Sequence, residues 1–195
     1  MSSSARRWVE ILSWGAGTCL LAIYGAALAW SSFASDQGLD MMHEARAAHA
    51  GEAPLQELNP SAISATFPRA VLRIPSLELE VPVYAGTSTG VLDRGAGLIE
   101  GTAWPGSDEG NIGIAAHRDS FFRPLQGITP GTRLYIDTVQ STRRYRVTSI
   151  SVVAPQDVTV LDDTSRPSVT LVTCYPFHYV GAAPQRFIVR AEIIH

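Results

Sequence analysis

Residues 169–177, Val169-Thr-Leu-Val-Thr-Cys174-Tyr-Pro-Phe177, read as a β-strand that ends in a thiol. Two other segments stand out chemically. Asn111-Ile-Gly-Ile-Ala-Ala-His117-Arg118 is an apolar strand ending in a histidine, and Ala183-Pro-Gln-Arg186-Phe-Ile-Val-Arg190 is a strand opened by an arginine. Working outward, the chain from Phe67 to the C-terminus breaks into short β-like runs. Strands are predicted at Val71–Ile74, Leu79–Tyr84, Asn111–His117, Arg133–Thr138, Thr142–Val153, Ser168–Cys174 and Gln185–Ile194. Tyr145, Val147, Ile150 and Val152 give the long run its β-favouring content. Pro75-Ser76, Gly86-Thr87, Pro105-Gly106, Pro130-Gly131 and Arg166-Pro167 mark the breaks. Short helical turns fit only near Ser88–Asp93, Ser120–Leu125 and Gln156–Leu161. Many short strands at this spacing predict an all-β barrel or sandwich over residues 67–195, large enough for one domain.

The N-terminal part differs in kind. Ile11 to Ser35, ILSWGAGTCLLAIYGAALAWSSFAS, holds no charged residue. Crossing a hydrocarbon core of ~30 Å takes ~20 apolar residues at helical rise, and this run has them. Arg6 and Arg7 precede it while Asp36 and Asp40 follow, so the positive-inside tendency keeps residues 1–10 cytoplasmic and exports the rest. The run is read as a retained transmembrane anchor at 11–34. The competing reading is a cleaved signal peptide with Ala27-Leu28-Ala29 as its site, but the apolar run continues past that point. Residues 35–66 are read as a linker, with a short helix at Gly38–Ala50 ended by Gly51 and Pro54, then a flexible stalk. His43 and His49 fall there as solvated residues.

Hydrophobic residues make up 46% and charged residues 17%, which supports a packed core. The net charge of −3, without a long basic block, argues against nucleic acid as a partner. Arg143, Arg144 and Arg146 read as an exposed strand face. Asp162-Asp163 is too few oxygens for calcium, which wants six or more. Of the two cysteines, Cys19 sits in the apolar run as a small hydrophobe, and Cys174 is left as a lone thiol in an exported, oxidising setting. That setting favours a chemical role over inert burial.

A thiol near pKa ~8.5 reacts as thiolate, a form that neighbouring positive charge favours. Histidine moves protons near neutral pH, and arginine stays charged and donates to a developing oxyanion. Cys174, His117 and Arg186 together supply nucleophile, proton donor and anion stabiliser for acyl transfer at a peptide carbonyl. Each alone has a structural reading as well, and spacing alone does not name the reaction.

Thr170-Leu-Val-Thr-Cys174 resembles the TLxTC signature of the sortases, membrane-anchored cysteine transpeptidases. Val71-Leu-Arg-Ile-Pro75 with Leu79–Val83, Gly113-Ile-Ala-Ala-His117-Arg118 and Pro184-Gln-Arg186-Phe-Ile-Val189 fall in sortase order. The stretch from Cys174-Tyr-Pro-Phe177 to Ala191 is similar to class D sortases. The resemblance covers residues 68–195 and implies a closed eight-stranded β-barrel with short helices, preceded by one transmembrane helix. It implies that Cys174 is the nucleophile, His117 the general acid and then base, and Arg186 the residue that positions substrate and stabilises the oxyanion. Thr173 is implied in shaping the substrate groove, and His178 in flanking it; Arg118 and Arg190 are implied as neighbours rather than catalysts. The implied substrate is an exported protein with an LPXTG-like C-terminal sorting signal, and the second partner is an amine acceptor. The acidic calcium cluster of class A sortases is not evident, so neither a metal nor another cofactor is expected. The acceptor, and the choice between transfer and hydrolysis, stay open. An L,D-transpeptidase-like enzyme fits less well, because Ser-His-Gly does not precede Cys174. A zinc module built on Cys174, His178 and His117 lacks a second ligand pair.

Overall fold

The computed structural model describes residues 3–50, 67–179 and 181–194. Ser3–Ala50 forms one helix, α1. The strands are β1 (Ala70–Ile74), β2 (Leu79–Ala85), β3 (Ala96–Leu98), β4 (Asn111–Ala115), β5 (Arg133–Asp137), β6 (Thr142–Val153), β7 (Ser168–Tyr175) and β8 (Gln185–Ile193). A one-turn helix, α2 (Thr89–Leu92), lies between β2 and β3, and 3-10 turns occupy Pro75–Leu77, Arg123–Gly127 and Thr159–Leu161.

The strands close into a barrel in the order β1-β2-β3-β4-β7-β8-β6-β5. The eight-stranded barrel is the expected one, with one strand more than the seven runs predicted from the residues. The added strand, β3, is only Ala-Gly-Leu, too short to show a period, and it is defined by its neighbours: parallel to β2 and antiparallel to β4. Inside, Leu72, Ile74, Val81, Ile114, Phe122, Leu134, Ile136, Tyr145, Leu171 and Val189 form one continuous buried core.

The two faces of each strand explain where the barrel is covered. In β6 the alternation is open, with Tyr145 and Val147 buried and Arg144 and Arg146 exposed between them. Arg143 departs from the expected exposed face: its guanidinium donates to Ser107 O at 2.7 Å and to Asp108 Oδ1 at 2.7 Å. By contrast, β4 and β7 pair in parallel and are buried on both faces over most of their length, as parallel strands usually are. The cover is the β6–β7 connection. Asn111 Nδ2 donates to Val160 O and Asp162 O, each at 3.2 Å, and its Oδ1 accepts from Thr170 Oγ1 at 2.8 Å and Ser168 Oγ at 3.2 Å. Arg190 Nη2 adds a 2.6 Å bond to Val160 O.

The helix α1 differs from the expected anchor-plus-linker. It runs without a break from the apolar run through Gly38, at ~1.5 Å per residue. Trp8, Leu12, Trp14, Leu20, Leu21, Ile23 and Tyr24 are exposed on it, and this part is long and apolar enough to cross a membrane. Its C-terminal part is docked on the barrel. Ser35, Gly38 and Met42 are buried at helical spacing, and a Cβ on Gly38 would overlap the Tyr84 hydroxyl and meet Pro82 at 3.1 Å. Ser31 Oγ donates to Asp93 O at 2.8 Å. Arg46 donates to the Thr138 carbonyl and, at 2.9 Å, to Thr142 Oγ1. His43, expected to be merely solvated, pairs with Glu80 at 3.4 Å. The expected flexible stalk at 51–66 lies outside the described residues.

Candidate active site

The barrel order sets β4, β7 and β8 side by side, and their registers bring the three chemistry-bearing residues to one level. In the parallel β4–β7 pair, Ala115 lies opposite Val172. One residue on, Ala116 N donates to Val172 O at 3.3 Å, and Thr173 Oγ1 donates to Ala116 O at 2.8 Å. His117 follows directly and so comes alongside Cys174. On the other side, Cys174 is the antiparallel partner of Arg186.

Alternation decides which way these side chains face. Leu171 and Thr173 are buried, and their partners Val189 and Phe187 belong to or pack on the core. Val172 and Cys174 between them are half-buried, as is Arg186. Cys174 and Arg186 therefore point to the outer face of the barrel, where Ala115 and Val172 form an open floor. Toward the other end that floor is roofed: a Cβ on Gly113 would meet Thr102, Leu161 and Ile99 within 3.2 Å. The 99–103 segment and the Thr159–Leu161 turn thus close over Gly113. A cavity of about 380 Å³, lined by Ala85, Gly86 and residues 98–104, lies on the β3 side of this roof, away from Cys174.

Cys174 is a free thiol. His117 Nε2 lies 3.5 Å from Asp93 Oδ1, and its side chain is 42% exposed. The Arg186 guanidinium uses Nη1 on Ala183 O and Gln185 O, at 3.4 and 3.1 Å; among the described residues Nε and Nη2 carry no partner. A thiol beside a guanidinium, with an imidazole on the neighbouring segment, brings together the group types that acyl transfer can use.

Thr173 lies next to the site without lining it. It is 2% exposed, and its hydroxyl ties β7 to the backbone that carries His117. His178 is exposed in the β7–β8 connection and makes no hydrogen bond or ion pair to His117, Cys174 or Arg186. Arg118 plays a structural part, donating to the carbonyls of Pro176, Tyr179 and Gly181 at 3.1, 2.6 and 3.3 Å. It holds the β7–β8 connection against the segment after β4. Tyr175, Phe177 and Phe187 pack ring on ring beneath, with centroids 5.1–6.0 Å apart. Asp93 was not among the residues singled out from sequence, and no spacing signal marks it. Among the described residues, no group of three His, Cys, Asp or Glu side chains is placed to hold a metal.

Comparison with known proteins agrees with the closed barrel. The sortase domain family matches residues 72–194, well over half of the chain. Sortase D of Bacillus subtilis (strain 168) is 30% identical over 120 residues, covering 61% of this chain and 60% of that protein. The chain thus spans less than two thirds of this curated relative. Among solved structures, a Clostridium perfringens sortase D5 transpeptidase superposes with a TM-score of 0.64 at 24% identity, over 85% of this chain and 98% of that one. Streptococcus agalactiae sortase C1 gives a TM-score of 0.62 at 28% identity, over 82% and 89%. Family match and closed barrel agree with the resemblance read in Thr170–Cys174, and this chain belongs to the sortase family.

Proposed function

We propose that this chain is a membrane-anchored cysteine transpeptidase that acts on the sorting signal of an exported protein. The observation that carries the reading is that Cys174 on β7 and Arg186 on β8 are direct partners, with His117 two residues past the end of the adjacent strand β4. The Cys174 thiolate attacks the carbonyl carbon of an LPXTG-like peptide at the Thr–Gly bond. Arg186 donates to the oxygen as it gains charge. The C–N bond breaks, His117 gives its proton to the departing glycine amine, and a thioacyl-enzyme remains. An amine acceptor then attacks the thioester carbonyl and loses its proton to His117. The C–S bond breaks and the thiolate returns. No metal or other cofactor takes part in these steps.

The anchor is residues 11–34 of α1, with 1–10 cytoplasmic and the catalytic domain, 67–195, outside. Arg6 and Arg7 before the apolar run, and Asp36 and Asp40 after it, support that orientation. Tethering holds enzyme and substrate at one surface, which lowers the entropic cost of their encounter.

The test uses the full chain in detergent with an LPXTG-type peptide panel and an amine. Mass spectrometry should find an acyl adduct on Cys174 and, with amine added, the ligated product. A reactive Cys174 that forms no adduct with any peptide would overturn the reading.

A further inference from the structure

Asp93 is the C-cap residue of α2, and three separate contacts hold it. Its N–H donates to Thr89 O at 2.9 Å, its carbonyl accepts from Ser31 of α1 at 2.8 Å, and its carboxylate lies 3.5 Å from His117 Nε2. The next residues fix the same turn from the other side. The Arg94 guanidinium lies over the Tyr84 ring at 4.7 Å, and a Cβ on Gly95 would press on Pro82 O at 2.5 Å. Tyr84 and Pro82 are also the residues against which Gly38 of α1 packs. The docked part of α1 and the turn that carries Asp93 therefore share one contact patch.

The charged groups on the elements bordering His117 have distinct engagements. Arg94 sits on Tyr84, Arg118 is committed to the carbonyls of the β7–β8 connection, and Arg186 of β8 donates to Ala183 and Gln185. Asp119 follows on the histidine's own segment, exposed, and Cys174 faces from β7. Asp93 is the acid whose oxygen reaches the imidazole.

We propose that Asp93 is the positioning residue of His117, and that α1 helps hold it through Ser31. The inference rests on the acyl-transfer reading above. The carboxylate, 3.5 Å from Nε2 and fixed through the Asp93 backbone, orients the ring that gives its proton to the leaving amine. Because Asp93 and His117 are 58% and 42% exposed, water screens the pair. Its effect is a tuning of about two- to five-fold rather than an on–off switch.

The experiment measures kcat and KM for peptide cleavage by the full chain, for wild type, Asp93→Ala, Asp93→Asn and Cys174→Ala. Asp93→Ala should lower kcat about two- to five-fold with KM unchanged. Asp93→Asn keeps an acceptor for the ring but no charge. It should fold as wild type and recover part of kcat. Ser31→Ala should give a smaller loss of the same kind. Wild-type kcat in Asp93→Ala, or a raised KM at unchanged kcat, would overturn the inference while leaving the acyl-enzyme reading intact. Turnover by Cys174→Ala would instead overturn that reading.

Discussion

Cys174 and Arg186 stand directly opposite each other across the β7–β8 ladder, both on the outer face of the barrel. Directly opposed residues of an antiparallel pair have Cα atoms about 4.5–5.5 Å apart, so their side chains are neighbours by construction. The guanidinium is braced on Ala183 O and Gln185 O, with two nitrogen positions uncommitted among the described residues. Arg186→Ala should therefore leave folding unchanged and cut acylation by about 10²-fold, the usual cost of losing an oxyanion donor. Arg186→Lys should recover little of it, because an ammonium lacks the planar fork. The check is the rate of Cys174 adduct formation, with circular dichroism to verify the fold. Wild-type acylation by Arg186→Ala would remove the assigned role.

Asn111 is 1% exposed and satisfied at both ends of its amide. Asn111→Ala should remove the acceptor that the Ser168 and Thr170 hydroxyls share and leave the Asp162 carbonyl short of a donor, while Val160 O keeps Arg190. A loss of about 2–3 kcal/mol is expected, since buried polar groups left unpaired each cost about 1–3 kcal/mol. The 154–167 connection should loosen with it. The measurement is urea unfolding together with hydrogen exchange over 154–167; unchanged protection there would show that Asn111 does not hold this cover.

How much of this was legible in the sequence depended on the range of the interaction. β6 and β7 announced themselves because each is long and rich in β-favouring residues. His117, Cys174 and Arg186 could be singled out because reactive types sit at strand ends, where a barrel rim gathers them. β3 could not, since three residues carry no period and Gly97 is there for close backbone approach: a Cβ would strike Gly86 O. Asp93 escaped because its contact with His117 is set by barrel closure rather than by local pattern. The pairing of His43 with Glu80 was hidden for a similar reason. It exists only because α1 runs on, unbroken, past Gly38 and lies along β2.

That continuity gives a prediction of its own. Gly38 is a close approach of α1 to the barrel: a side chain there would collide with Tyr84 and Pro82, whereas nothing lies within 4 Å of a Cβ at Gly25. Gly38→Leu should lift the helix, exposing Met42 and freeing Arg46, while Gly25→Leu should not. Limited proteolysis within residues 35–50 reports the difference. Equal protection in both variants would mean that the docking does not depend on this contact.

The last prediction concerns acid. Asp137 is buried at the end of β5, where it accepts from Arg73 and Thr142, with Arg46 of α1 3.9 Å away. Burial pushes its carboxyl up, but the hydrogen bonds from Arg73 and Thr142 and the charges of Arg73 and Arg46 outweigh it, holding the group below its ordinary value of 3.8. Arg73 is raised in turn, chiefly by the same hydrogen bond. A carboxyl with a lower pKa folded than unfolded adds stability above the unfolded value, and that stability is lost as pH falls through the folded value. Asp137→Asn should therefore destabilise the chain by about 2–3 kcal/mol at pH 7, less than the roughly 3–5 kcal/mol of a fully buried pair because the Arg73 side chain is 35% exposed. The gap to wild type should stay full down to about pH 4–5 and narrow below that, as the wild-type carboxylate is itself protonated. Urea midpoints of both proteins at pH 7, 5, 4 and 3 test this. A gap that stays constant to pH 3 would show that the contribution of Asp137 does not come from its charge.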